Sequence, residues 1–417
     1  MVLTKNPTLT SFPAKVRRFI GLDIHKHYLV AIGVDQAGNQ TLGPCRVKLE
    51  RFPQWISKQL TLEDAVVLEA TTNAFQVYDE LQPHVYTVAV VHPPHVNLIA
   101  RAQVMTDKLA ALTLARLYAK GLLVSIWVPP QAVRDLRALV AQQAKLVRLS
   151  TQAKNRLHSL LHRRHLAPPP GNPFAASQRD WWLDLPVAPL EQLRMQSDLD
   201  TLAFAQTQID RLEEQLATLA AQGERLPLLV QLPGVGWIVA VTLLAAIGDI
   251  ARFPAAKKLV GYAGLGSRVH ESGQSRRRGR ITKAGRRDIR RVMIQAAHAA
   301  ARHHPHWHAE LARLEPRLGR NKAIVAIARK LLVAVWHVLT KRQADRYSQP
   351  EQIARKLLEH TYRLGRTNRP TGQRVAAHVR AQMDDLGIGA DLTMIKRSKT
   401  ETLQLPASRL AVGDDAD

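Results

Sequence analysis

Short, dense apolar runs mark the first third of the chain. FIGLDI from Phe19 and YLVAIGV from Tyr28 are strand-like, and DQAGN at Asp35–Asn39 is turn chemistry. AVVLEAT from Ala65 and YTVAVVHP from Tyr86 predict two further buried strands, the second stopped by Pro93 and Pro94. TDKLAALTLARLYAKGLL then changes to helical text. Strands that alternate with helices predict an α/β domain over residues 19–128.

Beyond Pro129 and Pro130 the period changes to seven. Leu139, Leu146, Ala153 and Leu160 form one seam, and Leu136, Gln143, Ser150 and Leu157 form a half-polar second one. Leu202, Ile209 and Leu216, with Ala205, Leu212 and Leu219, repeat the pattern. Two long helices in a coiled-coil hairpin are expected over 129–225, joined by a Pro-rich insert carrying Trp181 and Trp182. LPGVGWIVAVTLLAAIG opens a helical region over 226–345. Its PGVG resembles a helix-hairpin-helix turn whose glycines would let backbone amides approach a phosphate. Residues 346–417 are expected to hold a C-terminal helix and a partly disordered tail.

Charge narrows the function. Lys and Arg number 59 against 34 Asp and Glu, a net charge of +25. That balance favours a nucleic-acid partner, because neutralising phosphates releases counterions. The single cysteine, Cys45, excludes an internal disulfide framework and a Cys-based zinc site. Neither a signal peptide nor a run of roughly 18 apolar residues is visible, so no membrane partner and a cytoplasmic, nucleoid-associated location are expected.

Two groups of residues carry candidate chemistry. Asp23 and Glu69 end strands, and Asp107 opens a helix. Carboxylates placed so can converge on a divalent cation, although each could equally be a solvated turn or first-turn acid. The stretch from His270 to Arg291 holds eight arginines and one lysine around Ser272 and Ser275. A serine hydroxyl is a weak nucleophile that needs activation, and guanidinium groups stabilise charge developing on a phosphodiester. Arg276, Arg277, Arg278, Arg280, Lys283, Arg286 and Arg287 suit phosphate contact, as do Lys154 and Arg156 on the predicted coiled coil. The His-rich HHPHWH, His303 to His308, reads as a helix end rather than a zinc site.

GLDIHK, LEAT and TDKLAALTLARL together resemble the three blocks of a RuvC-like, RNase H-fold domain, as found in the DEDD-type transposases of bacterial insertion sequences, also described as bridge-RNA-guided recombinases. RLSTQAKNRLHSLL is similar to that family's helical block, and LPGVGWIVAVTLL and SGQSRRRGRITKAGRRDIRR to its second conserved domain. The resemblance spans about Phe19 to Leu339. It implies a fold of α/β plus all-α parts: a RuvC-like domain, a coiled-coil hairpin and a helical, serine-bearing domain. It implies Asp23, Glu69 and Asp107 as Mg²⁺ ligands and Ser272 as the nucleophile of a covalent phosphoserine link, with Ser275 the rival. The implied partners are a structured noncoding guide RNA, donor and target DNA, and further copies of the chain, from dimer to tetramer, with the acids of one subunit serving the serine of another.

One position departs. The last acidic block reads T-D-x-x-D-A in the family, and here Ala110 stands where its second aspartate belongs. Spacing of three residues puts both positions on one helix face, so Asp107 lacks a co-ligand and activity should suffer. Either the chain is a degenerate natural copy or an aspartate has been replaced, and the intact surroundings favour replacement. Two other function classes stay open: a Holliday-junction-resolvase-like metal nuclease that uses water, and a non-catalytic RNA- and DNA-binding scaffold.

Overall fold

The computed structural model describes residues 12–94, 96, 106–273, 275–365, 368–369, 373–397 and 401–410, with the backbone alone at 270 and 276–278. The chain divides after Pro130 into two compact units.

The first unit is built on a five-stranded sheet in the order β3-β2-β1-β4-β5, with β1 at Arg18–Ile24, β2 at Tyr28–Val34, β3 at Gln40–Lys48, β4 at Asp64–Glu69 and β5 at Thr87–Val91. β2 runs antiparallel to β1 and β3, while β4 is parallel to β1 and β5. Four of these strands lie on the predicted apolar runs. β3 was not anticipated, because QTLGPCRVK has little apolar text and lies at the sheet edge, largely exposed.

Strand alternation sorts the core into two faces. Ile20, Leu22, Val66 and Leu68 pack with Phe52 and Ile56 of helix α1, Phe52–Gln59, and with Ala74, Val77 and Leu81 of α2, Ala74–Leu81. Phe19, Ala65 and Val67 face the other way, against Leu114, Ala115 and Tyr118 of α3, Asp107–Ala119. Thr106 caps α3, its hydroxyl oxygen accepting from the Leu109 amide. Gly21 explains how closely α3 lies on β1. A Cβ at that position would stand 2.0 Å from the Ala111 carbonyl oxygen and 2.7 Å from the Ala115 nitrogen.

The second unit opens with two 33-residue helices, α4 at Gln131–Arg163 and α5 at Pro189–Ala221, packed along each other. Leu146, Ala153, Leu157 and Leu160 are buried from one side and Ala205, Ile209 and Leu216 from the other. The polar position Gln143 is buried too, and its amide donates to Glu213 at 3.1 Å. In the connecting insert Trp182 is fully buried and donates its indole N–H to the Pro173 carbonyl.

The boundary expected at 225/226 does not divide the structure. Leu216, Ala217 and Ala220 of α5 share one core with the helices that follow. These are α6 (Arg225–Val230), α7 (Trp237–Ile247), α8 (Ala256–Tyr262), α9 (Arg287–His303), α10 (Pro305–Leu318), α11 (Arg320–Lys341), α12 (Pro350–Leu364) and α13 (Val375–Asp385). A hairpin of β6, Ser267–Ser272, and β7, Ser275–Ile281, projects between α8 and α9 in the chain.

The expected break at 345/346 also disappears, since Ile353, Leu357, Val379, Met383, Ile395 and Leu405 belong to the same core. Up to Leu410 the described tail is therefore packed, not disordered, and buried Arg380 pins it by donating to the carbonyls of Pro406, Gly389 and Leu392. Residues 411–417 lie outside the described residues. The tail has helical text, but Arg380, His378 and Asp384 interrupt its apolar face with buried polar groups.

Two other expectations change. In PGVG, Gly234 has φ +76° and a Cβ there would meet the Ala296 carbonyl at 2.1 Å, so that glycine serves close packing on α9 rather than phosphate approach. Helix α11 is long and apolar enough by composition to cross a membrane, although no such run is expected from the sequence. Its apolar side, including Ile324, Ile327, Leu331 and Val335, is the centre of the second core, and Lys322, Arg329 and Lys330 lie on the exposed side.

Candidate functional site

The acids meet at one end of the first sheet. Leu22 pairs with Leu68 in the parallel β1–β4 ladder, so Asp23 and Glu69 are the next residues on neighbouring strands and face the α3 side. Gly21 packs on Ala111 and Ala115, which brings the first residue of α3, Asp107, towards the end of β1. The turn after β1 supplies His25. Its Nε2 lies 3.3 Å from an oxygen of Asp23 and 3.3 Å from one of Asp107. One ligand atom from each of Asp23, His25 and Asp107 lies within 4.8 Å of the other two.

Burial raises the Asp23 carboxyl above its ordinary value. His25 opposes that rise, and the Asp107 charge adds to it. Burial raises Glu69 as well, with the Asp23 charge as second cause. Glu69 thus feels Asp23 without joining the tight trio. Ala110 follows one turn along α3, where it offers no ligand.

This arrangement suits a divalent cation. Adjacent oxygen or nitrogen ligands of an octahedral ion at ~2.1 Å stand roughly 3 Å apart, a spacing close to that found here. His25 Nε2 is buried with no hydrogen-bond partner, since its two 3.3 Å approaches miss hydrogen-bond geometry. An unpaired buried nitrogen facing two carboxylates fits a shared cation. Neighbours hold the imidazole. Tyr28 stacks on it at 4.6 Å and donates to Asp107 at 2.9 Å, Arg46 covers the other face of Tyr28 at 3.9 Å, and Asn73 donates to the His25 carbonyl.

Ser272 lies in the second unit. It ends β6, pairs across the hairpin with Ser275 and is exposed, followed by Gly273 at φ +55°. Neither serine hydroxyl has a hydrogen-bond partner among the described residues. The base of the hairpin is rigid by contrast. Gly264 and Gly285 have positive φ and would collide with the Ala284 and Tyr262 carbonyls if they carried a Cβ. Arg290 donates to the Ala263 carbonyl and the Arg286 amide donates to that of Tyr262.

Comparison with known proteins decides the family. A family model described as a transposase of the DEDD IS110 type matches residues 20–165, and one described as the transposase IS116/IS110/IS902 family matches residues 226–312. The transposase for insertion sequence element IS1111A of Coxiella burnetii is 26% identical over 346 residues, 79% of this chain and 91% of the relative. A probable family 20 transposase of Pseudomonas aeruginosa is 25% identical, covering 78% of this chain and 98% of its own. The pilin gene-inverting protein of Moraxella bovis is 28% identical, covering 62% and 74%. The chain belongs to the DEDD-type insertion-sequence transposases.

In this transposase the predicted phosphate-binding residues have different surroundings. Arg280, Lys283 and Arg287 are exposed, and Lys283 holds a left-handed backbone at φ +54°. The side chains of Arg276, Arg277 and Arg278 lie outside the described residues, although their backbone pairs with Glu271, His270 and Val269. Arg286 is engaged by Asp288 through both nitrogens of its fork. Arg156 is bound to Asp198 across the helical hairpin at 2.6 and 2.8 Å, and Lys154 lies 5.5 Å from the Phe174 ring centre. Arg286 and Arg156 are thus paired within the chain, whereas Lys154 is half-buried with no ion pair to a described residue. The His-rich turn is likewise tied down, with His304 on the Tyr347 carbonyl, His308 on that of Ala301 and His306 stacked on Tyr347. Tyr28 and Arg46 escape a reading of the sequence, because their role depends on a strand pairing that the text does not display.

Proposed function

We propose that this transposase is an RNA-guided DNA recombinase that cuts and rejoins DNA through a phosphoserine at Ser272, assisted by Mg²⁺ at the acid edge. The observation that carries the reading is the convergence of Asp23, His25 and Asp107 at the end of a sheet whose strand order and mixed pairing suit a RuvC-like, RNase H-type domain. The relative named for inverting a pilin gene supports a reaction that both cuts and rejoins.

The step balances without an outside redox partner. Ser272 Oγ loses its proton to solvent and bonds to phosphorus, and the P–O bond to a deoxyribose oxygen breaks. That oxygen leaves as a hydroxyl, and rejoining is the reverse with a different deoxyribose hydroxyl. Mg²⁺ held by Asp23, Asp107 and Glu69, with His25 beside them, would neutralise charge on the phosphate. Tyr28 orients Asp107, and Arg280, Lys283 and Arg287 hold the DNA backbone beside the serine. A structured guide RNA selects donor and target DNA, and subunits assemble up to a tetramer in which the acids of one serve the serine of another. The exposed, unpartnered hydroxyl of Ser272 is in keeping with a nucleophile whose activation comes from outside its own hairpin.

The test uses the full chain with Ala110→Asp, guide RNA, both DNAs and Mg²⁺, and maps the protein–DNA adduct by mass spectrometry. An adduct on Ser272 that Ser272→Ala removes and Ser275→Ala preserves is the expected result. An adduct elsewhere, or cleavage that survives Ser272→Ala, overturns it in favour of a water-using nuclease.

A further inference from the structure

A groove of ≈ 2070 Å³ in the second unit runs from the base of the serine hairpin along α11. Its floor holds small, half-buried side chains, among them Val325, Ala326, Val333 and Ala334. Its walls carry Arg280, Lys283, Arg317, Lys322, Arg329 and Lys341, all exposed. None of these six makes an ion pair with a described residue. The lining acids Glu310 and Asp345 are already engaged, Glu310 by Lys330 and Arg313 and Asp345 by the Tyr347 amide.

Trp307, His306 and Tyr347 line the same groove, Trp307 buried and the other two stacked at 3.8 Å and 12°.

We propose that this groove is a seat for the backbone of duplex DNA flanking the cleavage site. The excess of cations over free lining acids suits a nucleic-acid backbone, and one feature favours the DNA duplex over RNA: Ser267, Gly279, Arg280 and Ile281 of the serine hairpin themselves line the groove, which makes it continuous with the element proposed to attack DNA. This assignment rests on the reading of Ser272 for its register and for the choice of DNA over RNA.

Dimensions set that register. From Lys322 to Lys341 the helix rises about 28 Å at ~1.5 Å per residue, which matches roughly eight steps of ~3.4 Å along one strand. From Ser267 to Ser272 the hairpin extends about 17 Å at ~3.4 Å per residue, or about five further steps. The groove therefore grips phosphates beginning about five nucleotides from the scissile one.

The test measures binding of the full chain to a mixed-sequence 30-base-pair DNA duplex and to RNA of the same length across a salt series. The triple variant Lys322→Gln, Arg329→Gln, Lys341→Gln is expected to lower the slope of log affinity against log salt on DNA by about 3, close to one for each phosphate no longer neutralised. Lys322→Arg with Lys341→Arg should keep the slope. An unchanged DNA slope in the triple variant, or a decrease confined to RNA, overturns the proposal. Ethylation interference then reads the register, with the sensitive phosphates starting about five nucleotides from the cut. Binding does not require Ser272 chemistry, so a reduced slope combined with an adduct on another residue would refute the serine and leave the groove standing.

Discussion

Asp23 lies one residue from the end of a strand buried on both faces, and Asp107 begins a helix whose backbone touches that strand at Gly21. Ser272 ends the first strand of a two-stranded ribbon, exposed and with its hydroxyl unpartnered among the described residues. The acid edge is held by a core, whereas the serine hairpin is anchored at its base and free at its tip. In the first region geometry comes from packing, so small backbone changes should destroy it. In the second it comes from the ligand, so changes at the tip should spare stability and remove chemistry.

The largest expected effect breaks the first half of that contrast. Gly21→Ala forces a methyl to 2.0 Å from the Ala111 carbonyl, with no flexible side chain to give way. It should cost the first unit about 3 kcal/mol or more, read as a lowered unfolding midpoint in denaturant. Gly273→Ala, at φ +55° but with open space around its Cβ, should cost about 1 kcal/mol. Equal costs at the two glycines would erase the distinction.

A comparable effect comes from a buried group in the second unit. His360 is fully buried, its Nε2 on the Ala217 carbonyl and its Nδ1 unpaired. Burial pushes its pKa down to about 4 from 6.5. The unfolded chain therefore binds the proton more readily. The neutral form's stability is fully present above pH 6.5 and is lost as pH falls towards 4, by up to roughly 3 kcal/mol. His360→Gln should flatten that part of the stability–pH curve, and an unchanged slope would contradict it.

At the acid edge, His25→Ala should weaken Mn²⁺ binding about 10- to 100-fold, measured by paramagnetic resonance, and Mg²⁺ binding less, because imidazole suits transition metals better. Unchanged binding of Mn²⁺ would remove His25 from the ligand set. The smallest effect belongs to the helical hairpin. Arg156→Ala breaks a half-exposed pair with Asp198 and should cost under about 1 kcal/mol.

Much of this was legible in the text, and the failures share a cause. Four strands, α3 and the heptad helices follow from apolar period, and Asp23, Glu69 and Asp107 stand near strand ends and at a helix start. β3 was not legible because its text is largely polar and exposed, and the roles of Tyr28 and Arg46 lie in what their strands pair with. The groove on α11 was hidden for a related reason. Lys322, Arg329 and Lys341 are scattered in a mostly apolar helix, and only the fold sets them beside the hairpin base. In the opposite sense, the text does not reveal that Asp288 and Asp198 pair with Arg286 and Arg156.

The most direct measurement runs the reaction of the Ala110→Asp chain in water enriched in heavy oxygen and weighs the rejoined DNA. If Ser272 is the nucleophile, every phosphate at the junction keeps its original oxygens, because no water attacks phosphorus. Heavy oxygen at the cleaved phosphate would mean hydrolysis at the metal site and would contradict the account.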